Sequence, residues 1–154
     1  MLSKTAWGMM CIGGLVVLLG LLLPVTVLAK VGQNSCVGDH ACDGNTGNVG
    51  NNSCVGAEAC TFNTGNVGNN SCDGGTACFD NKGATIGNNS CNGKDACSEN
   101  KGATIGNNSC NGKDACVDNT GTIGNHSCNA ECACVGNIGI IGDNERNTSG
   151  SCAR

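Results

Sequence analysis

The chain has 154 residues, a formal net charge of −4 and only 2% aromatic residues. Twelve Asp and Glu against eight Lys and Arg disfavour a nucleic-acid partner. Every Leu, every Met and the single Trp lie within the first 29 residues, so the remainder has no means of building an ordinary apolar core, and by composition alone it reads as disordered.

Residues 1–29 form a distinct segment. Lys4 is its one charge, and an apolar stretch runs from about Thr5 to Ala29, interrupted by Pro24. Val27 and Ala29 are small residues at the −3 and −1 positions before Lys30, the pattern that a signal peptidase reads. Pro24 sits where it ends the hydrophobic helix. The segment is expected to be a signal peptide cleaved after Ala29, giving a secreted, periplasmic or extracellular protein. The alternative is an uncleaved signal anchor holding the protein to a membrane by residues 5–29, since ~20 helical residues span a bilayer.

From Lys30 onward the chain repeats. The phrase Lys-Gly-Ala-Thr-Ile-Gly-Asn-Asn-Ser-Cys-Asn-Gly-Lys-Asp-Ala-Cys occupies Lys82 to Cys97 and recurs unchanged from Lys101 to Cys116. Framed at the aliphatic residue before a Gly, the coils are 31–48, 49–66, 67–85, 86–104, 105–122 and 123–140, each 18 or 19 residues long. A partial seventh begins at Ile141. The extra residue of coils three and four is expected after a Gly, at Ala84 and Ala103.

Some columns are fixed. Each coil opens with Val or Ile; Ser precedes the first Cys, Ala precedes the second, and Asn follows three residues later as Asn45, Asn63, Asn81, Asn100, Asn119 and Asn137. The pair before the Ala column varies freely, from Asp39-His40 to Lys113-Asp114, and is expected to face solvent. Units this short, rich in Gly and in brief β-branched runs, point to short strands and tight turns stacked as an all-β, parallel β-solenoid. The Asn column is expected to bond from coil to coil as a structural ladder. Residues 30–140 are the repeat domain, and 141–154, with Glu145 and Arg146 but no repeat Cys pair, are read as a C-terminal cap.

Cysteine is the strongest signal. Fourteen of the fifteen lie after residue 29, an even number in a chain read as exported. Six pairs share the spacing Cys-x5-Cys: Cys36/Cys42, Cys54/Cys60, Cys72/Cys78, Cys91/Cys97, Cys110/Cys116 and Cys128/Cys134. An extended strand separates such partners by about 20 Å, whereas a disulfide needs Cα atoms within ~7 Å. The chain must therefore turn between them, and Gly38, Gly56, Gly74, Gly93 and Gly112 are the expected turn residues, with Ala130 in coil six. Cys132 and Cys152 remain, and a seventh bridge from the tail to the last coil is the simplest assignment. A sharper alternative is a zinc site from His126, Cys128, Cys132 and Cys134.

The segment Ser-Cys-x-Gly-x-x-Ala-Cys, as in Ser90 to Cys97, resembles the disulfide-braced β-solenoid antifreeze proteins of beetles. The resemblance covers the Cys-x5-Cys spacing in six units and implies a bridge inside each coil and an ice-binding face. In that family Thr flanks the first Cys on both sides. Here the flanking residues are Ser and a mixture of Val37, Val55, Asp73, Asn92, Asn111 and Asn129. A second face, Thr46-Gly47-Asn48, Thr64-Gly65-Asn66 and Thr120-Gly121-Thr122, is interrupted by Lys82 and Lys101.

Catalysis needs a constellation placed once, whereas a repeat spreads its residues evenly. No catalytic residue, resident metal or cofactor is assigned, and the Ser column is read as structural. The expected function is a secreted, non-enzymatic structural or surface-presenting module. Ice binding is one alternative and weak calcium or glycan binding another. Ice, an extracellular matrix or surface, and end-to-end self-association are the partners considered. Sequons at Asn51, Asn69, Asn88, Asn107, Asn125 and Asn147 are glycan acceptors only in a eukaryotic secretory route.

Overall fold

A computed structural model describes residues 29–152. The expected leader, apart from Ala29, lies outside the described residues, as do Ala153 and Arg154. Among the described residues there is no helix, and the regular elements are five two-residue strands: β1 (Asn66–Val67), β2 (Thr85–Ile86), β3 (Thr104–Ile105), β4 (Thr122–Ile123) and β5 (Ile140–Ile141). Each pairs in parallel with the next, in the order β1-β2-β3-β4-β5. Single bridges continue the ladder downward from Val67 to Val49 and Val31. The chain is a parallel β-solenoid, with one rung per coil.

The alternation of a strand turns one residue of each pair inward and the other outward. Val49, Val67, Ile86, Ile105, Ile123 and Ile141 are buried in one column, while Val31 at the open end is 49% exposed. Beside them lie the fully buried Ala59, Ala77, Ala96 and Ala115 and the bridged cysteines. The core is therefore a set of stacked columns, thin in hydrocarbon and rich in sulfur.

Six intra-coil disulfides join Cys36–Cys42, Cys54–Cys60, Cys72–Cys78, Cys91–Cys97, Cys110–Cys116 and Cys128–Cys134, with Cα atoms 5.4 to 5.8 Å apart. A seventh joins Cys132 to Cys152. The turn between partners is not made by glycine alone. Both cysteines of the first five bridges adopt left-handed backbone, with φ between 56° and 61°, and so does the residue before each Ala: His40, Glu58, Thr76, Asp95, Asp114 and Cys132. Such a conformation costs a side-chain-bearing residue roughly 1–2 kcal/mol, and the covalent link across each turn holds it in place.

The glycines before these residues meet a different need. A Cβ on Gly93 would lie 2.3 Å from the carbonyl oxygen of Gly112, and one on Gly74 would lie 2.2 Å from that of Gly93. Backbone therefore stacks directly on backbone in this column. Ala130 is admitted in coil six because its column ends there, with no further glycine above it.

The extra residue of the longer coils is also placed differently from the expectation. Gly65 stacks under Ala84, whose carbonyl oxygen lies 1.7 Å from a Cβ built on Gly65. Ala84 and Ala103 are buried within the stack, and it is Gly83 and Gly102 that loop out, at φ 69° and 65°, into open space. Glycine takes the bulge because it adopts left-handed backbone at little steric cost.

Residues from Ile141 onward continue the stack as a half-coil in register. Glu145 occupies the Ser position: its amide donates to Ser127 Oγ at 3.0 Å and its carbonyl accepts from Cys128 at 3.0 Å. Its carboxylate also accepts the Gly142 amide at 3.0 Å. In the coils below, that amide donates to the next rung, as Gly124 does to Ile141, so Glu145 closes a backbone edge that is otherwise open to pairing.

Candidate functional site

The outward residue of each rung builds a flat exposed face. Asn66 aligns with Thr85, Thr85 with Thr104, Thr104 with Thr122 and Thr122 with Ile140. A second exposed column runs alongside, through Thr46, Thr64, Lys82, Lys101, Thr120 and Ile138. Lys82 bridges to Lys101 through backbone, and its Nζ lies 2.9 Å from Asp80. Ile138 and Ile140 end the two columns, each 86% exposed. The face thus offers hydroxyls and amides over most of its length, ammonium groups in coils three and four, and an apolar end, with successive rungs ~4.8 Å apart. Thr85 and Thr104 were not legible as members of this face while the inserted residue was assigned to Ala84 and Ala103. The Thr-Ile-Gly triplet shared with Thr122 was the available signal.

The Ser column faces inward. Ser53, Ser71, Ser90, Ser109 and Ser127 are fully buried. Their hydroxyls lie 2.7 to 2.8 Å from glycine carbonyls of the next coil and accept the next coil's amides at 3.0 to 3.2 Å. They are structural hydroxyls, as the sequence reading held, and leave no Ser face outside.

The sequon asparagines are engaged as well. The Oδ1 atoms of Asn51, Asn69, Asn88, Asn107 and Asn125 each accept a backbone amide of the preceding coil at 2.8 to 2.9 Å, and Asp143 Oδ1 does the same at 2.6 Å. Asn147 Oδ1 accepts from Asn129 at 3.0 Å. The oxygens on which a calcium reading relies are thus spent on the backbone.

The Asn ladder is built in two ways. Asn63 donates to Asn45 at 2.8 Å and Asn137 to Asn119 at 2.9 Å. Between coils three and five the oxygens instead accept backbone amides, Asn81 from Asn100 at 3.1 Å and Asn100 from Asn119 at 2.7 Å.

The four residues of the zinc alternative are not assembled as ligands. Cys128 and Cys134 are joined to each other, Cys132 is joined to Cys152, and His126 Nε2 lies 3.4 Å from Asn108 Nδ2.

The freely varying pairs line a separate, acidic edge. An open groove of about 300 Å³ lies among Glu58, Thr76, Phe79, Asp95, Ser98 and Glu99. The Phe62 and Phe79 rings meet edge to face at 6.1 Å beside it. In coil one the hydrogen bond from Asp43, reinforced by Asp39, raises the His40 pKa above its ordinary value. Lys113 is raised likewise by Asp114 and Glu131. Partial burial raises the Asp73 carboxyl, against the opposing effect of its hydrogen bond with the Val55 backbone.

Stacked rungs, a bridge in every coil and inward Ser and Asn ladders define a disulfide-laddered parallel β-solenoid. A family described as Domain of unknown function (DUF7640) matches the chain twice, over residues 24–107 and 87–154. The chain belongs to that family. No curated protein and no solved structure matches it. The seven bridges favour an extracellular or secreted setting, and no described helix is long and apolar enough to cross a membrane.

Proposed function

We propose that the protein is a non-enzymatic structural rod, exported from the cytosol, whose task is to present its flat sheet face to an extended surface. The observation that carries this reading is the exposed alignment of Thr85, Thr104 and Thr122 on successive rungs. The inward columns are used for stacking, so the outward columns are free to vary with the partner. Six coils at ~4.8 Å give a face about 29 Å long, which suits a surface larger than a small molecule.

The same alignment favours one finer reading, ice as that surface. β-Branched hydroxyls in a flat array combine a methyl and a hydroxyl at each step. The test is an ice-recrystallisation and thermal-hysteresis assay on the oxidised protein and on Thr104→Asp/Thr122→Asp, run beside a panel of matrix and cell-surface preparations. Binding to any extended surface that the double variant loses, with its unfolding transition unchanged, supports the rod. Ice activity with the same loss selects the finer reading. Equal binding by both proteins overturns the assignment to this face.

A further inference from the structure

The bridge between Cys132 and Cys152 differs in kind from the other six. Those close a turn within one coil at a sequence separation of 6, and their partners are fixed by backbone bonds on both sides. Even the half-exposed Cys36–Cys42 pair at the open end is held this way, with Cys36 N 3.0 Å from Ser53 O and Cys42 N 2.8 Å from Ala59 O. The seventh bridge spans a separation of 20 and ties a tail segment to coil six. Cys132 is buried at 1% exposure, whereas Cys152 is exposed. An attacking thiolate therefore has access to one sulfur of this bridge.

Two carboxylates stand against the same sulfurs. One ligand atom from each of Asp114, Glu131, Cys132 and Cys152 lies within 4.8 Å of all the others. A cation already sits between the carboxylates, because Lys113 Nζ is 3.0 Å from Asp114 and 3.2 Å from Glu131. In the oxidised chain that ammonium offsets half of the negative charge, and the bonded sulfurs carry none.

We infer that the Cys132–Cys152 bridge is a redox latch whose opening assembles a site for a thiophilic divalent cation, with Zn²⁺ the best chemical match. A small dithiol supplies the electrons. Its thiolate attacks Cys152 Sγ, the Cys132–Cys152 bond breaks, and Cys132 leaves as a thiolate that takes up a proton. The second thiol of the reductant then displaces Cys152 and closes a cyclic disulfide, so two electrons and two protons pass to the protein. Binding of the cation releases those protons and leaves two thiolates and two carboxylates as ligands. Bonds of about 2.3 Å to sulfur and about 2.0–2.2 Å to oxygen place tetrahedral ligand atoms roughly 3.3–3.8 Å apart. The four groups reach that spacing by contracting about 1 Å, with exposed Glu131 and the tail as the parts that move. The cation replaces Lys113 as counter-charge and keeps the tail docked after the covalent tie is gone.

The experiment uses the full oxidised protein treated with limiting dithiol under native conditions, then alkylated and mapped, with parallel samples titrated with Co²⁺ and Zn²⁺. The expected result is first opening at Cys132–Cys152. One Co²⁺ per chain then binds with a thiolate-to-cobalt charge-transfer band, Zn²⁺ displaces it, and no binding occurs before reduction. Asp114→Asn and Glu131→Gln retain all seven bridges and are expected to weaken binding by more than the roughly tenfold that loss of an outer-sphere partner costs. Cys132→Ser/Cys152→Ser, with six bridges counted by mass, abolishes it. Binding by the oxidised chain, binding that survives the double Ser variant, first opening at another bridge, or no cation uptake by the opened chain each overturns the proposal.

Discussion

Asn63 donates its side-chain amide to the carbonyl oxygen of Gly65 across 2.7 Å, inside a core where Asn63 is fully buried. Asn119 repeats the contact with Gly121 at 3.0 Å and Asn137 with Gly139 at 2.9 Å. In coils three and four the residue two places on is a looped-out glycine, Gly83 or Gly102, and the buried Nδ2 atoms of Asn81 and Asn100 have no hydrogen-bond partner.

Deleting Gly83 and Gly102 together makes every coil 18 residues long and restores the acceptor. A buried amide left without a partner costs about 1–3 kcal/mol, so the double deletion is expected to raise unfolding free energy by about that much for each Asn. Denaturant unfolding of the oxidised protein checks it. An unchanged or lower midpoint means that the bulges relieve some strain that the ladder does not report.

Asp73 offers a second gain. In the same column Asn92 donates Nδ2 to Asn70 O at 3.1 Å, Asn111 to Asn89 O at 3.0 Å and Asn129 to Asn108 O at 2.9 Å. A carboxylate has no hydrogen to give, and burial makes its charged form less favourable here. Asp73→Asn is expected to stabilise the rod by about 1 kcal/mol at neutral pH, the worth of one hydrogen bond. Because the folded pKa of Asp73 is raised, its destabilising effect is absent below the ordinary Asp value of about 3.9 and grows as pH rises through the folded value. The advantage of the variant therefore narrows in acid. A gain that is independent of pH assigns it to the new donor alone.

Strict repetition made the rung legible in sequence: the Val or Ile column, the inward Ser and the Asn ladder all follow from residues that recur at one place in every coil. The sulfur spacing was equally plain, since Cys91 and Cys97 have no way to meet without a turn. Backbone conformation was not legible. Nothing in the letters says that Cys91 and Cys97 themselves sit in left-handed backbone, because that choice is imposed by closing the bridge inside a stack. The outer face was misjudged for a related reason. Ala84 looks like an insertion and Gly83 like a regular turn, yet only the packing of Gly65 under Ala84 tells them apart.

The backbone-on-backbone column makes a sharp contrast between two conservative changes. Gly93→Ala drives a methyl against Gly112 O at 2.3 Å without any left-handed φ to complicate the cause. Overpacking against immovable backbone is expected to cost about 3 kcal/mol. Ala130→Gly, at the end of the column, is expected to cost less than about 1 kcal/mol, the usual Gly penalty. Thermal unfolding of both variants decides the matter. Equal losses mean that the column is looser than the stacked carbonyls imply.

Removing a central bridge tests what carries the rod. Cys91–Cys97 lies in the fourth coil with both residues fully buried. Replacing both by Ala frees a short loop in the unfolded chain, a change worth about 2 kcal/mol on the chain-entropy model. It also removes the tie that holds two left-handed residues in place. Stability in a stack is a sum of coil and nearest-neighbour terms, so the loss is expected to be local. Amide exchange should accelerate first in coils three to five, where Cys91 N bonds to Ser109 O and Cys72 N to Ser90 O, each at 3.0 Å. The bond from Cys36 to Ser53 in coil one should stay protected. Uniform acceleration along the rod means that it unfolds as one cooperative body, and no change at all means that the aliphatic and Asn columns hold the coil without its sulfur.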